Sequence, residues 1–207
     1  MFKNLLNPNN SLMITMSWIT DCIFLSLFWL LGCIPVVTAG ASFAALYDAT
    51  FRSFRRNEKN GWQRFLKVFR TNWKAGILPT VVVAALGWGL AKILIHYWNS
   101  TAAGDLSMMA FSGVAFLGVL GLGILSVVFP LLSRFENTTA GLLKNALLLA
   151  FANMPRTVAL GLINLVTILL CIRFVAPLFF LPALAALLGS LFLEPMFKPY
   201  MPKEEAA

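Results

Sequence analysis

The chain has 207 residues, of which 59% are hydrophobic and only 12% are charged, and its mean hydropathy is +0.82. A soluble domain of this length would be about one quarter charged, so the apolar surplus indicates a membrane protein and leaves no room for a soluble catalytic domain. The formal net charge of +8 lies beside the apolar segments, which argues against nucleic-acid binding by a soluble fold.

A helix that crosses a bilayer needs about 20 mostly apolar residues, and six segments meet or approach this requirement. In chain order they cover Leu12–Ile34, Val36–Phe54, Ala75–Trp98, Ser107–Leu132, Thr157–Phe174 and Leu178–Phe197. The second segment is the weakest, because Asp48 interrupts it, and it either crosses the membrane or forms a re-entrant or interfacial helix. We predict an all-α, polytopic helical bundle that forms one integral membrane domain over residues 1–207.

A dense run of positive charge joins the second segment to the third. This connection, residues 52–74, carries one acid, Glu58, against eight basic residues: Arg52, Arg55, Arg56, Lys59, Arg64, Lys67, Arg70 and Lys74. Short loops rich in Lys and Arg remain on the cytoplasmic side of a membrane. We therefore predict a membrane protein whose basic connection and C-terminus are cytoplasmic. The N-terminus is also cytoplasmic if the second segment crosses the membrane, and external if it does not.

Residues 137–153, between the fourth and fifth segments, form an amphipathic stretch. Lys144 lies at its centre, and a charged residue at the middle of a membrane span costs about 3 kcal/mol. We therefore predict a helix that lies on or partly in the inner membrane surface.

Two parts of the chain share a short pattern. Pro35 precedes Thr38-Ala39-Gly40, and Pro130 precedes Thr139-Ala140-Gly141. The pattern favours a two-fold internal pseudo-repeat, in which each half is a span, a shorter helix and a second span, as in many transporters. A chance match in a membrane sequence of low diversity explains it equally well.

A longer motif resembles a known family. It consists of Pro35-x-x-Thr38-x-Gly40-Ala41-x-x-Ala44-Ala45-Leu46-Tyr47, followed after the basic connection by Phe65, Phe69 and Asn72, and later by Leu143-Lys144-Asn145-Ala146 with Asn153 and Pro155. This pattern resembles the YesL family of bacterial integral membrane proteins. The resemblance implies an accessory protein encoded beside carbohydrate uptake and degradation systems, and it implies no defined catalytic or binding residue.

Two acids fall inside predicted membrane segments, where ionisable side chains are costly and therefore candidates for function. Asp21 lies in the first segment and Asp48 in the second. One hypothesis is a cation or proton site. The other, which the abundance of inner-surface cations favours, is an ion pair or a hydrogen-bonded cap that fixes helix packing. The two acids either face one another or pair with Arg134, Lys144 or Arg156.

Lys92 and Arg173 lie near the outer ends of their segments. Long side chains at such positions extend their charge to the lipid headgroups, and this is the favoured interpretation. The alternative is that both face inward and attract an anionic ligand, for which acidic sugars are suitable.

Small residues at four-residue spacing, such as Ala85 with Gly89 and Ala185 with Gly189, favour close helix packing within one chain or in a homo-oligomer. The chain has no HExxH or GxSxG motif and a single His, so we expect no enzyme, no metal site and no cofactor.

Two functions remain open. One is an accessory protein that docks on a sugar ABC transporter through the basic face Arg52, Arg55, Arg56, Arg64, Lys67, Arg70 and Lys74, although these residues can equally serve only to orient the chain. The other is a small transporter or channel, active alone or as a dimer, for a sugar-related or anionic solute.

Overall fold

A computed structural model describes residues 11–56, 58, 60–100, 105–134 and 139–200. Over these residues the fold is helical and contains no strand, which confirms the predicted all-α class. Seven α-helices follow one another: α1 (Ser11–Cys33), α2 (Ala39–Arg55), α3 (Gly61–Ser100), α4 (Asp105–Arg134), α5 (Thr139–Ala152), α6 (Met154–Arg173) and α7 (Leu181–Phe197). Short 3-10 turns at Val36–Thr38 and Ala176–Phe179 precede α2 and α7.

Four helical stretches of the described chain are long and apolar enough to cross a membrane, and they belong to α3, α4, α6 and α7. They cover Gly61–Asn99, Met108–Arg134, Met154–Arg173 and Leu181–Tyr200. Two shorter apolar helices cover Trp18–Cys33 and Ala140–Ala152. The third to sixth predicted segments therefore lie in helices that are long and apolar enough to cross a membrane. The first segment coincides with α1, and the second does not reach this length and hydropathy.

The second segment forms α2, which lies at the centre of the bundle. Twelve of its 17 residues are buried, and it packs against α1, α3, α4 and α7. Small side chains allow this burial, since the backbone of Ala41 lies directly against Gly76 of α3. Whether α2 crosses the whole membrane or is re-entrant or interfacial stays a prediction.

The basic connection 52–74 is not the loop that its charge predicted. Arg52 and Arg55 form the last turn of α2, and α3 begins at Gly61, so only a short turn separates the two helices. Asn60 has φ of 72° there, a conformation that Asn tolerates better than most residues. With 40 residues, α3 is about 60 Å long, roughly twice the thickness of the hydrocarbon core.

Two apolar clusters form the core on either side of α2. One contains Cys22, Leu25, Leu46, Phe65 and Val68 from α1, α2 and α3, and the other contains side chains of α4, α5 and α7. Helix α6 packs closely on α4. The contact is so close that a Cβ on Gly123 of α4 or on Gly161 of α6 would collide with the backbone of the facing helix. The bundle therefore places α2 and its polar residues between two packed layers.

Residues 137–153 were predicted as an amphipathic helix, and α5 forms within that range at Thr139–Ala152. Leu142 and Ala146 are buried on one face, while Lys144 and Asn145 are exposed on the other. The order of long, short and long helices occurs twice, in α1–α3 and in α4–α6, but α2 is central and α5 has an exposed face. The internal repeat stays a prediction.

Candidate functional site

Asp48 is the buried centre of an ion cluster, although it lies in an otherwise apolar part of α2. Its side chain is 0% exposed. Asp48 accepts hydrogen bonds from Arg52, one turn later at 3.2 Å, and from Arg64 of α3 at 2.5 Å. The guanidinium of Arg134, at the end of α4, lies 3.8 Å from the same carboxylate. The close antiparallel packing of α2 and α3 brings Arg64 to Asp48.

A second acid extends the cluster to α7. Arg134 donates through Nη2 to Oε1 of Glu194 at 2.8 Å, and the hydroxyl of Tyr47 donates to the same oxygen at 2.8 Å. The Arg134 guanidinium also lies 4.6 Å from the centre of the Phe51 ring, a distance typical of a cation–π contact. Arg134 is therefore held from two sides, and its side chain is only 5% exposed.

The formal charges of the ion cluster balance, since three acids face three guanidinium groups. Its members are Asp48, Glu58, Glu194, Arg52, Arg64 and Arg134. Removing charges from water costs several kcal/mol per ion unless opposite charges and hydrogen bonds compensate. Here one cluster satisfies charges from α2, α3, α4 and α7, so its geometry depends on these four helices packing together.

A cavity of about 530 Å³ lies beside the ion cluster. Trp29 of α1 and side chains of α2, α3, α4, α6 and α7 line it, and most of them are apolar. Its polar side chains are Tyr47, Thr80, Ser126, Asn164 and Thr167. Tyr47 forms the boundary between the two features, because its ring lines the cavity while its hydroxyl bonds to the ion cluster. Asp48 does not line the cavity.

Asp21 is not brought near Asp48. It lines a separate hollow of about 360 Å³ with Phe24, Leu25, Phe28 and Trp62. Among the described residues it forms no ion pair, unlike Asp48. The two predicted intramembrane acids thus have different surroundings, and they do not form one common polar site.

Lys92 and Arg173 also lie apart, on α3 and α6, and both are exposed. The Nζ of Lys92 lies 5.3 Å from the Trp88 ring centre, and the Cζ of Arg173 lies 5.9 Å from the Phe174 ring centre. Arg173 directly follows Cys171 and Ile172, which line the large cavity. Arg173 is thus next in the chain to residues that line the cavity.

The predicted basic face divides into two groups. Arg52 and Arg64 belong to the ion cluster, and Arg55 donates to the carbonyl of Ser190 on α7 at 3.4 Å. The exposed members are Arg55, Arg56, Lys67, Arg70 and Lys74. Helix α3 contains no Asp or Glu along its 40 residues, so its exposed charge is purely positive.

Glu194 and Tyr47 were not singled out as site residues from the sequence. Glu194 lies within the sixth predicted segment, so the rule that drew attention to Asp48 applies to it equally. Tyr47 carried no comparable signal, because a Tyr within an apolar segment ordinarily packs by its ring. Within the part of the chain that the structure describes, no group of three His, Cys, Asp or Glu side chains is arranged to hold a metal ion.

Comparison with known proteins connects part of this arrangement to a family. Residues 22–92 match the family described as "Protein of unknown function, DUF624", the domain family to which YesL proteins belong. The matched region runs from α1 through α2 into α3 and contains Asp48, Arg52 and Arg64, while Arg134 and Glu194 lie outside it. No curated protein and no solved structure matches the chain.

Proposed function

We propose that this chain is a multi-pass accessory protein of the YesL kind in a bacterial inner membrane. In this proposal its exposed basic face and C-terminus are cytoplasmic, it carries out no reaction of its own, and it docks on a carbohydrate uptake system, for which a sugar ABC transporter is the candidate. The match of residues 22–92 and the Pro35–Tyr47 motif support the family part of the proposal.

The observation that carries the proposal is the burial of Asp48. A transport site must be accessible to its solute or ion, whereas Asp48 is 0% exposed, bonded to Arg52 and Arg64, and separated from the large cavity. Such an acid is suited to holding α2, α3 and α4 in one arrangement. A rigid bundle with a fixed surface is what docking on a partner requires, because little order then has to be gained on binding.

The exposed basic face supplies a surface for the proposed partner. Lys67, Arg70 and Lys74 lie within about two turns of α3 and point away from the core, with Trp62 and Trp73 exposed at 47% and 44% beside them. Aromatic side chains and Arg are enriched in protein interfaces, and a positively charged surface favours an acidic counterpart. We therefore place the contact on an acidic cytoplasmic surface of the transporter's membrane subunits.

The test is co-purification with a named partner. The chain would be co-expressed with the membrane subunits of a sugar ABC transporter from the same organism and isolated through a tag on the chain. We expect the wild type to retain the transporter, and the triple variant Lys67→Gln, Arg70→Gln, Lys74→Gln to lose it. Lys92→Gln on the same helix is the matched control and should retain it. Equal recovery with the triple variant would disprove docking through this face.

The second candidate function is transport by the chain itself, and the cavity of about 530 Å³ is the observation that favours it. Flux assays on proteoliposomes containing only this chain distinguish the two functions. The accessory proposal predicts no uptake of neutral or acidic sugars above that of protein-free liposomes. Saturable uptake by the chain alone would replace the accessory proposal with the transporter one.

A further inference from the structure

We propose that the large apolar cavity binds one acyl chain of an anionic membrane lipid, whose phosphate lies at Arg173. This site goes beyond the proposed docking function and does not depend on the identity of a partner. It would give the chain a bound lipid between α2, α4, α6 and α7, next to the ion cluster.

The hydrogen-bond donors of five polar side chains in the cavity are already used within the protein, whereas Trp29, which also lines the cavity, has a buried indole N–H with no partner among the described residues. The hydroxyl of Tyr47 donates to Glu194, and those of Thr80, Ser126 and Thr167 donate to carbonyl oxygens of their own helices. The amide of Asn164 donates to Ser126 and to a further carbonyl. A sugar would therefore find few free donors in this cavity, and each of its hydroxyl groups left without a partner would cost about 1–3 kcal/mol. An apolar chain has no such cost.

The cavity opens among apolar side chains that are themselves exposed. Val36, Phe43, Ile168 and Ile172 line it, and their exposed fractions are 66%, 40%, 42% and 79%. In a membrane protein such side chains contact lipid, so an acyl chain reaches the cavity without crossing water. The volume of about 530 Å³ is within the range of about 300–1,000 Å³ that ligand cavities occupy.

Arg173 supplies the charge that selects an anionic headgroup. It ends α6, directly after Cys171 and Ile172, and Leu178 beyond the following turn lines the cavity as well. Arg173 is exposed, and among the described residues no carboxylate pairs with it. Its guanidinium can therefore form paired hydrogen bonds with a phosphate, which is the geometry that Arg favours.

The experiment uses the full-length protein in nanodiscs that contain a trace of phosphatidylglycerol with a diazirine at the middle of one acyl chain. After illumination, mass spectrometry locates the labelled residues. We expect labelling of cavity residues such as Leu122, Ser126 and Ile168, in addition to diffuse labelling of lipid-facing side chains. Phosphatidylcholine with the same diazirine should label the cavity about fivefold less, which corresponds to about 1 kcal/mol for one cationic side chain at the membrane surface.

Two variants separate the cavity from the headgroup contact. Ala185→Phe fills the cavity from α7 and should abolish cavity labelling, whereas Leu188→Phe on the exposed side of the same helix should not. Arg173→Gln should reduce labelling by phosphatidylglycerol to that seen with phosphatidylcholine. If Ala185→Phe fails to fold, Ala84→Leu on α3 replaces it. Cavity labelling that survives the filling variants, or that is equal for the two lipids in the wild type, would overturn the proposal.

Discussion

The guanidinium of Arg134 lies 2.8 Å from the carboxylate of Glu194, although 60 residues separate them in the chain. This contact joins the end of α4 to α7, and the 3.8 Å approach of the same guanidinium to Asp48 extends it to α2. A buried ion pair stabilises little in itself, but an unpaired buried charge is strongly unfavourable. Any helix arrangement that separates the members of the ion cluster is therefore higher in free energy.

The first prediction concerns the coupling between these two residues. In a double-mutant cycle with Arg134→Gln and Glu194→Gln, we expect the free energies of unfolding to be non-additive by about 1–3 kcal/mol, because each change removes the same contact. Reversible unfolding in detergent micelles provides the measurement. The control cycle pairs Arg156→Gln with Glu194→Gln and should be additive within about 0.5 kcal/mol. Additivity in the first cycle would contradict the pairing.

The second prediction concerns Asp48. Asp48→Asn should lower the free energy of unfolding by about 3 kcal/mol, since it leaves Arg52, Arg64 and Arg134 without their shared counter-ion. Asp21→Asn is the control, because Asp21 is partly exposed and forms no ion pair among the described residues. We expect it to change stability by less than about 0.5 kcal/mol. Equal effects of the two substitutions would show that Asp48 is not held as the structure indicates.

The third prediction concerns the close contact between α4 and α6. A Cβ at Gly123 would collide with the carbonyl of Thr157, and one at Gly161 with the carbonyl of Val119. Gly123→Ala and Gly161→Ala should each destabilise the protein by about 1–3 kcal/mol, as is usual for overpacking.

Gly121 provides the control for these substitutions. It lies on the same helix as Gly123, and a Cβ there meets nothing within 4 Å. Gly121→Ala should be neutral or stabilising by up to about 1 kcal/mol, the helix propensity of Ala over Gly. Thermal unfolding of the three variants in one detergent compares them directly, and a stable Gly123→Ala protein would contradict the close helix contact.

The fourth prediction concerns orientation. With the three native cysteines replaced by Ser, Lys67→Cys should react with a membrane-impermeant maleimide only after the cells are permeabilised, since the basic face is predicted to be cytoplasmic. Asn99→Cys, at the opposite end of α3, should react in intact cells. The reverse pattern would mean that the chain has the opposite orientation, and labelling of both positions in intact cells would mean that α3 does not cross the membrane as predicted.

The limits of the apolar helices followed closely from the sequence. The first predicted segment, Leu12–Ile34, coincides with α1 at Ser11–Cys33, and the fourth, Ser107–Leu132, lies within α4 at Asp105–Arg134. Long apolar runs have few alternatives to a helix in a membrane. The second segment was predicted to begin at Val36, but α2 begins at Ala39.

The displaced start of α2 has a local cause. Val36–Thr38 form a 3-10 turn after Pro35, and the hydroxyl of Thr38 donates to the carbonyl of Gly32 at 2.7 Å. Pro35 ends α1 because it disfavours the α conformation in the residue before it, and the 3-10 turn then separates α1 from α2. The helical start of α3 was missed for a different reason, since its charge density was interpreted as a loop.

By itself, the sequence determined the all-helical class, the apolar segments and the two acids within them, because hydrophobic length and charge act locally along the chain. Only the tertiary structure decided that Asp48 contacts Arg64 and Arg134 and that Glu194 accepts hydrogen bonds from both Arg134 and Tyr47. It also decided that Asp21 lies elsewhere. These pairings depend on which helices are neighbours and at what register they pack. No local pattern specifies that register, since it results from the fit of small and large side chains across the whole bundle.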